Sequence, residues 1–188
     1  MKKKVFILAL IAICISVAAY GTAAYFTYED TATNVITAGN VRIELQEWSV
    51  SEDGERLPFE DVTDVMPDTE VSKIVQIKNT GEQTAWVRIA LEKSILLAEG
   101  KEGDIDLSLV SCDLNTEYWT EKDGYYYYNL QLAPGEATQP LFTKVSFAKE
   151  MGNLYQDSKA VIRVDTQATQ VIHNGENVFE AAGWPIAE

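Results

Sequence analysis

Histidine is almost missing from this sequence, and cysteine is scarce. Its 188 residues include one histidine, His173, and two cysteines, Cys14 and Cys112. A zinc site takes three or four His, Cys or carboxylate ligands, and the metallopeptidase helix pattern needs two histidines one turn apart, so that pattern is excluded. A serine or cysteine nucleophile would have His173 as its only imidazole base. There is no G-x-S-x-G elbow and no glycine-rich phosphate loop; the glycines stand singly, where turns are expected. Basic residues are few as well. Fifteen Lys and Arg face 29 Asp and Glu, for a formal charge of −14. Nucleic acid and anionic membranes are held by basic patches, so neither is an expected partner. No catalytic, cofactor-binding or metal-ligating residue is assigned, no cofactor is expected, and the chain does not read as an enzyme.

Long apolar runs are missing too, with one exception at the start. Lys2, Lys3 and Lys4 precede Val5 to Ala19, an apolar run of signal-peptide length, and then small residues from Gly21 to Ala24. Residues 1–24 read as a signal peptide. Thr22 and Ala24 suit the −3 and −1 positions, with cleavage before Tyr25. Gly21 and Ala23, with cleavage before Ala24, are the alternative. An uncleaved anchor is the other reading, because Val5 to Phe26 is long enough to span a bilayer. The expected location is secreted and cell-surface associated. Removing residues 1–24 takes away three lysines and no acid, so the formal charge falls from −14 to −17. It also leaves Cys112 as the only cysteine, which excludes an intramolecular disulfide.

What remains reads as short alternating segments separated by turns, the pattern of an all-β sandwich of about seven to nine strands. Val41, Ile43 and Leu45 alternate with polar residues. Residues 49–70 read as a long acidic loop with at most one short element. Val71 to Lys78 and Ala85 to Leu91 read as a hairpin turning at Asn79-Thr80-Gly81-Glu82, with Trp86 and Arg88 facing outward. Ile105, Leu107 and Leu109 suggest another strand. Tyr118 to Thr120 and Tyr125 to Leu132 read as a second hairpin with Asp123-Gly124 at its turn. Two of the rings of Tyr125 to Tyr128 are expected in the core and two in solvent. Phe142 to Phe147 and Ala160 to Thr166 are further strands, and Asn177 to Ala182 suggests a helical turn. Carboxylates cluster at Glu60, Asp61, Asp64, Asp68 and Glu70, and again at Asp104 and Asp106, without the spacing of an EF-hand loop.

The segment after the cleavage site is unusual for a free terminus. Tyr25, Phe26, Tyr28, Val35 and Ile36 make it aromatic and β-prone, where a frayed and polar end is the norm. Such an arm can dock on its own domain as a first strand. It can also add to the sheet edge of a neighbouring copy, and head-to-tail repetition of that contact makes a filament.

The junction GTAAYFTYEDTATNVITAGNVRIELQE resembles that of the TasA/camelysin family of exported Gram-positive proteins. Thr22, Ala24, Phe26, Thr33, Asn34, Ile36, Thr37, Ala38, Gly39, Val41, Ile43 and Leu45 carry the match. Lys73 to Gly81 with Ala85 to Ile89, and Val164 to Gln170 with Glu180 to Trp184, are similar to further family segments. The resemblance implies a jelly roll, a leader processed by a SipW-type signal peptidase, and a biofilm-matrix fibre subunit. Its division would be a leader at 1–24, a donor-strand arm at 25–40 and a jelly-roll domain at 41–188. The implied partners are further copies of the chain and a minor anchoring subunit. A camelysin-like surface metallopeptidase and a monomeric cell-surface module are the alternatives.

Overall fold

The computed structural model describes residues 26–37 and 41–185, with the backbone alone for 26–37, 63 and 64. The leader and the cleavage residues Thr22, Ala24 and Tyr25 lie outside the described residues. The chain is an all-β sandwich, as its alternating pattern implies. Eleven strands run in order: β1 (Phe26–Thr37), β2 (Ile43–Val50), β3 (Arg56–Pro58), β4 (Val62–Val65), β5 (Thr69–Asn79), β6 (Ala85–Leu96), β7 (Val110–Cys112), β8 (Trp119–Lys122), β9 (Tyr125–Tyr128), β10 (Phe142–Phe147) and β11 (Lys159–Gln170). One sheet has the order β4-β1-β11-β6-β9-β8 and the other β3-β2-β5-β10-β7. Only the β2–β3 and β8–β9 connections stay within a sheet; every other connection crosses the sandwich, as in a jelly roll.

The core follows the two-residue period of a strand. From one sheet come Ile43, Val75, Ile77, Phe142, Val145 and Phe147. From the other come Val87, Ile89, Ala160, Ile162 and Val164, and all of these are buried in one cluster. Burying each large apolar side chain contributes roughly 1.5–3 kcal/mol, so this shared layer holds the two sheets together without a disulfide.

The segment 79–85 corrects the expected hairpin. β5 pairs with β2 and β10, whereas β6 pairs with β11 and β9. The reversal therefore carries the chain from one sheet to the other. Asn79 makes that corner. It is fully buried; its amide donates to Gln83 O at 2.8 Å and Leu132 O at 2.9 Å, and its Oδ1 accepts from Gly81 N–H. Gly81 passes so close to Arg42 that a Cβ there would lie 2.7 Å from the Arg42 nitrogen. A second crossing, residues 129–141, is tied to the same corner. Ala85 and Leu132 exchange backbone hydrogen bonds, Gly135 N–H donates to Asn79 O, and the Thr138 hydroxyl accepts from Ile77 N–H. Both crossings close one end of the sandwich.

Other expectations were met or adjusted by longer-range pairing. The Asp123-Gly124 turn joins β8 to β9, with φ of 52° and 79° as a tight hairpin turn requires. Leu107–Leu109 is a 3-10 turn capped by the Asp106 carboxylate rather than a strand. The acidic stretch 49–70 holds two short strands, β3 and β4, instead of at most one. Residues 177–182 form a turn and no helix.

Asn79→Ala removes the donor that two carbonyls share inside the closed end. Leaving those acceptors unpaired is expected to cost about 2–3 kcal/mol. Urea unfolding of the variant and the parent checks this, and a loss below about 1 kcal/mol would contradict the role given to this corner.

Candidate functional site

The arm singled out in the sequence is β1, and its backbone lies inside a sheet of its own chain. It pairs in parallel with β11 from Thr27 opposite Lys159 to Thr37 opposite Ala168, with a bulge between Thr33 and Val35. Every other adjacent pair in both sheets is antiparallel. On its other side β1 meets only β4, with Phe26 opposite Val65 and Tyr28 opposite Val62. The arm thus fills a slot between a 12-residue strand and a four-residue strand. Phe26, Tyr28, Val35 and Ile36 are placed by their backbone on this strand.

The acceptor side of that slot is built from β11. Ala160, Ile162, Val164, Thr166 and Ala168 point into the core and are buried, while Lys159 and Arg163 are exposed on the outer face. β6 takes the far edge of β11 along its whole length, from Leu96 opposite Lys159 to Ala85 opposite Gln170. The near edge of β11 is therefore the one long row of backbone N–H and C=O groups that depends on β1. The outermost strands β3, β4, β7 and β8 are three or four residues long, which limits what could pair with them.

A charged pair lies inside the sandwich. Lys73 is in phase with Val75 and Ile77 on β5, and Glu47 is in phase with Ile43 and Leu45 on β2. Both side chains therefore point inward. Lys73 Nζ is 2.8 Å from Glu47 Oε1, with 0% and 11% of the two side chains exposed, and lies 4.0 Å from the centre of the Phe59 ring. Burying two charges is costly, and only their mutual attraction and further polar contacts offset it. The same period-two count that placed Val75 and Ile77 inward also places Lys73 there. Hydropathy alone hides this, because lysine is read as a surface residue.

The outer face of the six-stranded sheet corrects the expected exposure of Trp86 and of two tyrosines. After β11 the chain folds back, and residues 171–185 cover this face. Trp86, Tyr127 and Val178 are buried together there, with Tyr125, Val171, Ala181 and Trp184 packed around them. Tyr126 and Tyr128 face the main core. Arg88 is layered between rings, its guanidinium 3.8 Å from the Tyr125 ring centre and 4.5 Å from that of Trp184. It also donates to Gln167 Oε1 and to the Tyr127 hydroxyl. No alternation marked 171–185 as a cover, because its aromatic residues pack from an irregular strap.

The remaining candidates stand apart from one another. His173 is exposed, with φ of 58°. Burial pushes the Cys112 thiol up to about 11, so at neutral pH it stays protonated and a poor nucleophile. Asp106 is engaged by the N–H and hydroxyl of Ser108, which hold its carboxyl below the usual range. Glu70 pairs with Lys144 at 2.8 Å on the surface, and that hydrogen bond lowers the acid and raises the lysine. Among the described residues, no group of three or more His, Cys, Asp or Glu side chains is gathered to hold a metal ion. No described helix is long and apolar enough to cross a membrane.

The buried pair yields a test. Lys73→Met strands the Glu47 carboxylate in the sandwich and is expected to destabilise the fold by about 3–5 kcal/mol. Lys73→Met combined with Glu47→Leu is expected to recover most of that loss, as read from denaturant midpoints. Equal destabilisation in the single and double variants would mean that the two charges are not coupled.

In comparisons with known proteins, no family model, no curated protein and no solved structure matches this chain.

Proposed function

We propose that this protein is a secreted, non-enzymatic structural subunit that assembles with further copies of itself by donor-strand addition. In this reading β1 of one copy leaves its own slot and pairs with β11 of the next. The observation that supports it is the placement of β1. A β-prone segment next to the expected cleavage site pairs along its length with β11 in a backbone ladder, and ladder hydrogen bonds form equally well with a second identical chain. Cleavage before Tyr25 by a SipW-type signal peptidase would free the arm to move. A chain still tied to its leader would hold the arm at a membrane. The product would be an extracellular fibre of the kind found in biofilm matrix, with a minor subunit anchoring it to the cell surface.

A second reading draws on the same placement. Within one chain the slot is filled by the chain's own arm, which suits a monomeric cell-surface module. A camelysin-like peptidase has no comparable support from the arrangement of side chains.

Electron microscopy of the exported form, with and without residues 25–36, distinguishes the two readings. Fibres are expected from the full exported chain and none from the truncated one, and fibres from both would end the donor-strand reading. At a formal charge of about −17 per copy, subunits repel one another, so fibre growth is expected to quicken with added salt or divalent cations.

A further inference from the structure

One side chain ties the two ends of the strap over the aromatic face together. Asn174 Nδ2 donates to Gln170 O at 2.8 Å, Ala182 O at 2.9 Å and Thr169 Oγ1 at 3.0 Å, and Asn174 Oδ1 accepts from Ala182 N–H at 2.7 Å. These bonds tie the start of the strap to its end and both to the last residues of β11. The next residue is Gly175, and Asn174-Gly175 is the only Asn-Gly pair in the chain. Glycine is required there for two reasons. Its φ is +82°, and a Cβ would lie 2.9 Å from Glu180 Cβ and 3.0 Å from the Glu180 carbonyl carbon. The strap therefore needs an amide at 174 and no side chain at 175.

We propose that Asn174 is a site of spontaneous deamidation, and that its conversion unlatches the strap and uncovers the aromatic face. The Gly175 backbone nitrogen attacks Asn174 Cγ, loses its proton to water, and expels the side-chain nitrogen as ammonia. Water then opens the cyclic imide to aspartate or isoaspartate. The balance is an amide plus water giving a carboxylic acid and ammonia, with no change of oxidation state.

Three observations carry this. Among the described residues the Gly175 N–H makes no hydrogen bond, so no acceptor holds its nitrogen away from the Asn174 side chain. The Ala182 N–H on Oδ1 polarises the carbonyl under attack. His173, Gly175 and Glu176 are exposed, so water and base reach the site.

The consequence follows from donor and acceptor counts. An amide donates to two carbonyls and a hydroxyl here. A carboxylate donates nothing, and it would set a negative charge against Gln170 O and Ala182 O. The closed strap also has a weak point beneath it, since the buried Trp86 indole N–H has no hydrogen-bond partner. Loosening the latch lets water reach that donor and frees Trp184 from Arg88 and Tyr127.

The test is ageing of the folded, exported protein at mildly alkaline pH, with peptide mapping by mass spectrometry and hydrogen exchange on the same samples. Asn174 is expected to convert ahead of every other asparagine. The converted fraction is expected to lose exchange protection in residues 171–185 while keeping it in β5 and β11. Freshly made Asn174→Asp protein is expected to show the same loss. If that variant does not fold, the aged parent protein decides alone. Conversion confined to denatured samples, or a converted chain whose strap stays as protected as the parent's, overturns the proposal.

Discussion

The backbone of β11 has to be hydrogen-bonded on both of its edges. Its inner side chains are buried in the core and its Gln167–Thr169 end is buried on the outer face as well, so unpaired N–H and C=O groups there would be costly. β6 satisfies one edge. Only β1 satisfies the other, and β1 is joined to the rest of the sandwich at one end alone, by the few residues before β2. The sheet therefore needs a strand in the β1 position to complete the second edge of β11.

The closed end of the sandwich makes the slot durable. Asn79 fixes one crossing, and the reciprocal Ala85–Leu132 bonds tie the other crossing to it. β5, β6, β10 and β11 then form a framework that does not rely on β1 for its connections. The Lys73–Glu47 pair acts differently. A buried pair disfavours any packing of β2 on β5 that separates the two charges.

Much of this was readable in the sequence, and the misses share a cause. Period-two alternation located β2, β5, β6, β10 and β11, and Asp123-Gly124 located the β8–β9 turn, because those signals are local. Asn79-Thr80-Gly81 looked like a hairpin turn for the same local reasons. The choice between hairpin and crossing is made by which strands β5 and β6 pair with, and those partners lie far away in the chain. The strap over Tyr125 and Tyr127 was hidden because an irregular segment has no periodicity. Lys73 was hidden because its charge outweighed its phase. The arm was the clearest local signal of all, an aromatic, β-branched run, yet its parallel pairing with the last strand depends on the whole topology.

Disulfide trapping tests the central claim most directly. Thr31 and Arg163 are opposite one another in the β1–β11 register. A chain carrying Thr31→Cys, Arg163→Cys and Cys112→Ser is allowed to assemble reduced and is then oxidised. If copies exchange arms, denaturing gels without reductant show a ladder of covalently linked multimers. If each copy keeps its own arm, the same oxidation yields only internally cross-linked single chains, and the donor-strand account is contradicted.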